Sequence, residues 1–176
     1  MKKILLLACA VLGMNLCFTS CSSDYDASPE VNNSGVRNPL QGTFTATING
    51  VPFIADEKTI SDTTINGIRS ISVAGLAFNP DKNPEKNSTV TLMIPDYNGA
   101  HSYIMDGMTA SGMYTIKDSA NIQNFAAITN DTLSMITITG DGSSLEGNFN
   151  FKVIPAGSNP NHDTITIAEG NFSIPR

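Results

Sequence analysis

Two histidines, His101 and His162, and eleven aspartates are the side chains of this chain best suited to acid–base or metal chemistry. The histidines are far apart, and no HExxH, GxSxG, Walker or GxGxxG spacing accompanies them. The common zinc, serine-hydrolase and nucleotide readings therefore lack support. His162 falls in Ser158-Asn159-Pro160-Asn161-His162-Asp163, the composition of a solvent-exposed loop. Two carboxyls about 5 to 9 Å apart would suit glycoside hydrolysis, but nothing in the sequence brings two aspartates together. The run Asp141-Gly142-Ser143-Ser144-Leu145-Glu146 offers oxygens to calcium, yet it is far from an EF-hand loop and reads better as a hairpin turn. The segment most able to hold a ligand is 95–103, where Tyr97, His101 and Tyr103 precede Met105, Met108 and Met113. Rings with a polar tip orient a ligand, and methionines adapt to varied apolar partners. Tyr97, His101 and Tyr103 are the ligand-binding candidates, within a 95–113 loop region. No catalytic residue, metal ligand or cofactor is assigned, and the chain is expected not to be an enzyme.

The setting of these residues narrows the function further. With 10 Lys+Arg against 16 Asp+Glu, the net charge is -6, which excludes a basic nucleic-acid binder. An apolar fraction of 40% can fill a core, and 176 residues allow one ordinary domain. The absence of tryptophan weighs against a polysaccharide-stacking platform. All three cysteines, Cys9, Cys17 and Cys21, lie at the N-terminal end, so no disulfide framework is expected.

Residues 1–20 open with Lys2-Lys3 and continue as an apolar run from Ile4 to Phe18. Such a run is short for a membrane span, which needs about 20 apolar residues, and suits a secretory signal. Thr19 and Ser20 are small and precede Cys21. The stretch resembles a bacterial lipoprotein signal, which implies cleavage before Cys21 and a lipid on its thiol. Multiple acyl chains anchor a protein stably where one does not. Residues 21–40 are rich in Ser, Asn, Asp and Pro, the composition of a flexible linker reaching roughly 25 Å. Within it, Ser22-Ser23-Asp24-Tyr25-Asp26 resembles the acidic surface-export signals of Bacteroidota lipoproteins.

Residues 41–176 then show a period of two. Phe44, Ala46 and Ile48 alternate with threonines before Asn49-Gly50, the strongest short hairpin signal. Strands are expected at 43–48, 51–55, 59–65, 68–78, 89–94, 113–117, 124–129, 136–139 and 145–153. A terminal hairpin is expected from 164–168 and 171–174 around Glu169-Gly170, with Ile165, Ile167, Phe172 and Ile174 inward. Short strands at this spacing imply an all-β fold, an antiparallel β-sandwich, with a closed lipocalin-like barrel as the alternative.

The runs Phe44-Thr45-Ala46-Thr47-Ile48-Asn49-Gly50-Val51-Pro52-Phe53, Leu145-Glu146-Gly147-Asn148-Phe149-Asn150-Phe151 and Gly170-Asn171-Phe172 resemble the two ends of small Bacteroidota (Bacteroides-type) outer-membrane lipoprotein domains. The resemblance implies a β-sandwich of unknown function, lipid-anchored in the outer membrane and displayed at the cell surface. Asp-Ser/Thr followed by a small or apolar residue is similar to the O-glycan acceptor of such proteins. It occurs at Asp62-Thr63-Thr64, Asp118-Ser119-Ala120, Asp131-Thr132-Leu133 and Asp163-Thr164-Ile165. Thr63, Ser119, Thr132 and Thr164 are thus the O-glycosylation candidates. The function expected is a non-enzymatic accessory or interaction module, meeting the membrane through Cys21 and a protein or glycan partner beyond it. The alternative is a small-ligand or glycan-binding protein with its site at 95–113.

Overall fold

The computed structural model describes residues 41–79, 86–129, 131–157 and 163–176. Among the described residues eleven strands run β1 (Thr43–Ile48), β2 (Val51–Ile54), β3 (Glu57–Ile65), β4 (Ile68–Phe78), β5 (Lys86–Ile94), β6 (Ser102–Ile104), β7 (Ser111–Asp118), β8 (Asn121–Ala127), β9 (Met135–Asp141), β10 (Ser144–Pro155) and β11 (Ile165–Pro175). No helix occurs among the described residues. All pairings are antiparallel, in the order β2-β1-β11-β10-β8-β7-β5-β4-β3, with β9 also on β10 and β6 on β9. The sheet curls into an all-β half-barrel.

Two turns show why the chain reverses where it does. Asn49-Gly50 and Asn66-Gly67 all have positive φ (50° and 79°, then 52° and 82°), the backbone of a two-residue type I′ turn. The first is also tied to β11, since Asn49 N donates to Thr166 O (2.8 Å) and Thr166 N to Asn49 Oδ1 (2.8 Å).

Long β10 is the spine. Along one edge it pairs with β11; along the other, β9 takes Leu145–Asn150 and β8 takes Val153–Pro155. Its inward side chains Leu145, Phe149, Phe151 and Val153 alternate with exposed ones. The space inside is closed by phenylalanines resting on glycines of facing strands. A Cβ on Gly75 of β4 would lie 2.4 Å from the Phe44 ring of β1, and one on Gly112 of β7 would lie 2.7 Å from Phe151. Phe44, Phe149 and Phe172 gather with centroids 5.2 to 6.3 Å apart.

The chain end corrects one expectation. No hairpin forms around Glu169-Gly170; β11 runs through as a single strand with a bulge. Phe149 pairs with Gly170 but Phe151 with Ile167, and Thr45 pairs with Asn171 but Thr47 with Ala168. Glu169 takes φ 53°. One extra residue flips the phase of a strand, so Ile167 and Phe172 both point inward although their parity differs. β6, within the expected 95–113 loop, was also unforeseen.

Candidate functional site

The 95–104 segment is anchored by backbone and ring alike. Tyr97 N donates to Arg69 O of β4 (2.7 Å). The Tyr103 hydroxyl donates to Gly99 O (2.7 Å) and accepts from Asn98 N (3.0 Å), closing the loop on itself. Four groups then stack. The Arg69 guanidinium sits 4.9 Å from the Tyr97 ring centroid, Tyr97 lies 5.9 Å from Tyr103, and His101 lies 3.9 Å from Tyr103. The three candidates are thus brought together. Tyr97 and Tyr103, however, are core rings, 4% and 1% exposed, and only His101 reaches the surface. Burial pushes the Tyr97 phenol up to about 12, and the Asp141 carboxylate beside its hydroxyl adds to this. Burial raises Tyr103 as well, against the Asn98 amide that favours its ionised form. Met105 is fully buried, and Met108, on a loop capped by Asp106, is 84% exposed.

Beneath this stack lies a cluster that sequence reasoning missed. Arg69 holds both carboxylate oxygens of Asp62, through Nε at 2.8 Å and Nη2 at 2.7 Å. It approaches Asp141 of β9 at 3.6 Å. Arg176, which follows β11, pairs with Asp141 and approaches Asp62 at 3.6 Å. Two cations and two anions alternate around a ring, joining the β3–β4 hairpin to the β9–β10 turn. The Arg69 hydrogen bonds hold the Asp62 carboxyl below the usual carboxylate range, partly offset by burial. Asp62 and Arg69 flank Asn66-Gly67 and so share a hairpin face, a signal the sequence did carry. The partners Asp141 and Arg176 needed the long-range pairing of β9, β10 and β11. With Asp141 ion-paired to Arg176, the expected turn run 141–146 is a structural corner of the domain.

On the opposite, outward face of β3, β4 and β5 lies a groove of about 560 Å³. Its lining joins the hydroxyls of Thr63, Ser70 and Ser72 to Ile65, Ile68 and Met93, and these three apolar side chains are 69%, 56% and 46% exposed. Thr63 Oγ1 and Ser70 Oγ are hydrogen-bonded at 2.9 Å. Two smaller hollows share Ser88 and Tyr114: one of about 390 Å³ beside the β1–β2 turn, and one of about 320 Å³ along the ends of β4, β5 and β7. Burial raises the Tyr114 phenol.

The O-glycosylation candidates all lie at exposed positions. Thr63 stands on the groove, Ser119 occupies the β7–β8 turn with φ 55°, Thr132 follows Asp131, and Thr164 precedes β11. The neighbouring Asp62 and Asp131 carboxylates are engaged by Arg69 and Lys152 respectively. Cys21 and His162 lie outside the described residues. Among the described residues, no three of His, Cys, Asp and Glu gather at metal-binding positions.

The chain matches no protein-family pattern, no curated protein and no solved structure.

Proposed function

We propose that this chain is a lipid-anchored interaction module of the outer membrane, of the Bacteroides type, with a lipid on Cys21, a tether over 21–40 and a β-sandwich over 41–176. The observation that carries the reading is the groove on β3–β4–β5. It sets three exposed apolar side chains beside a row of neutral hydroxyls, and apolar patches rimmed by polar groups mark recognition surfaces on soluble domains. The sandwich reading is supported by Phe44 on Gly75 and Phe151 on Gly112, which fill the space between facing strands with side chains. The buried Tyr103 and Tyr97 move the recognition surface away from 95–113 and toward this groove.

Two measurements test the proposal. Intact mass of the chain from its native membrane, beside Cys21→Ala, reads the anchor: an acylated chain starting at Cys21 is expected, and an unacylated one removes the lipoprotein part. A photo-reactive residue at Ser72, beside one at exposed Gln123 on β8, reads the face. Adducts from Ser72 that Met93→Lys abolishes are expected on intact cells; equal capture from both positions refutes the groove.

A second reading has its own observation. The two hollows sharing Ser88 and Tyr114 sit at one end of the half-barrel, the place where a lipocalin-like barrel takes a small apolar ligand. Protection of a fluorescent fatty acid by the wild-type chain, lost in Tyr114→Ala, would favour it over the groove.

A further inference from the structure

β3 is an edge unlike the others. β2 is four residues long and contains Pro52, and β6 is three residues long, both common ways of blunting an edge. β3 runs for nine residues, Glu57–Ile65, without proline, glycine or bulge, in unbroken register with β4. Among the described residues nothing pairs with its outer side. A long, regular, open edge is a template for another strand.

We infer that the occupant is β3 of a second copy of this chain, antiparallel, with Ile60 on the two-fold axis. The turn sets which groups are available. In a two-residue hairpin the residues flanking the turn, Ile65 and Ile68, are a hydrogen-bonded pair. Residues 65, 63, 61 and 59 therefore bond inward to β4, while Thr64, Asp62, Ile60 and Lys58 direct N–H and C=O groups to the open side. Charge then chooses among the registers those four residues allow. Centring on Asp62 would oppose two carboxylates. Centring on Ile60 places Lys58 of each copy opposite Asp62 of the other, twice, with the two Ile60 side chains meeting between them and Thr59 opposite Ser61. Among the described residues Lys58 makes no ion pair, and it is half-buried on this face. Opposite charges directly across a strand pair are favourable, and like charges are not. A C2 interface must be self-complementary, and centred on Ile60 the seven residues 57–63 of this edge are. The outcome is a sheet continuous through both copies, carrying two β3–β4–β5 grooves side by side on one surface. The inference does not depend on what fills them.

The test is disulfide trapping in the full chain, with the wild type as the background for its native cysteines. Directly opposed, hydrogen-bonded residues have Cα atoms about 5.5 Å apart, within disulfide reach. Ile60→Cys should give a covalent dimer on mild oxidation. Ser61→Cys should not, because its own mate is a diagonal neighbour about 7 to 8 Å away. Adding Lys58→Glu to Ile60→Cys should lower the yield roughly tenfold, since two attractions become two repulsions. A folded Ile60→Cys chain that stays monomeric, or a Ser61→Cys chain that cross-links as well, overturns the proposal. If Ile60→Cys does not fold, sedimentation of the wild type decides. A dimer that Lys58→Glu dissociates sustains the proposal, and a monomer at roughly 0.1 mM overturns it.

Discussion

Replacing Arg69 by methionine tests the charge ring, because it keeps an apolar stem and removes only the guanidinium. Two short hydrogen bonds to Asp62 disappear. A hydrogen bond to a charged group contributes about 1.5 to 3 kcal/mol when buried. Here the two side chains are 35% and 30% exposed, so solvent screening reduces the pair to about 1.5 kcal/mol in all. Losing the cation over Tyr97 adds about 0.5 kcal/mol. Asp62 and Asp141 then share one cation, Arg176, instead of two. The expected loss is about 2 kcal/mol at neutral pH, or a fall in Tm of roughly 5 to 10 °C for a domain of this size. The pH dependence follows from Asp62, whose folded carboxyl is held below its ordinary value of 3.8. The unfolded chain binds that proton more readily, so the stabilisation is fully present above the ordinary value and is lost as pH falls through the lower, folded one. Urea unfolding followed by far-UV circular dichroism, since the chain has no tryptophan, should show the wild-type advantage at neutral pH narrowing in acid. An advantage below about 0.5 kcal/mol at neutral pH, or one that persists unchanged once Asp62 is protonated, would refute the ring as an electrostatic clamp.

Other outcomes follow from the same geometry. Gly75→Ala places a Cβ 2.4 Å from the Phe44 ring and should destabilise by about 1 to 3 kcal/mol; Phe44→Leu in the same chain should recover part of that loss in the urea midpoint. Tyr103→Phe leaves Gly99 O and Asn98 N without their hydroxyl partner, at about 1 to 2 kcal/mol, and hydrogen exchange of the Asn98 amide should speed up. Ultraviolet titration should show Tyr97 ionising near 12. Because its folded value is raised, the stability it contributes is complete below the ordinary 10.0 and is lost as pH climbs through the folded one; Tyr97→Phe should flatten that alkaline fall.

The central strands were legible because each carries its own phase. In β10, Leu145, Gly147, Phe149, Phe151 and Val153 alternate with polar residues, and that pattern is the core face of the finished sheet. Local chemistry also announced the Asn49-Gly50 turn. β11 failed for the same reason that β10 succeeded. A bulge shifts the phase by one residue, and two short strands of opposite phase around Glu169-Gly170 have the same pattern as one strand with an insertion. Only the neighbours tell them apart: β1 and β10 flank β11 on both sides of the bulge, which a hairpin could not allow.

The 95–104 segment shows a different limit. Its composition marked it as unusual, and the rings do gather, but whether Tyr97 and Tyr103 face a ligand or the core depends on what lies beneath them. That support comes from Arg69, twenty-eight positions before Tyr97, and from Asp141 and Arg176, which arrive only once β9, β10 and β11 are paired. The groove was hidden for the opposite reason. Thr63, Ser70, Ser72 and Met93 are ordinary outward residues of ordinary strands, and Thr is common on any half-buried pleat. What distinguishes them is position. Thr63 lies on an edge strand that carries no proline and no bulge, Ser70 and Ser72 lie one strand from it and Met93 two, beside Ile65 and Ile68 at a turn tip, where no further strand arrives among the described residues to cover them. Edge status belongs to the topology and not to any residue, so a surface of this kind emerges only when the strand order is known.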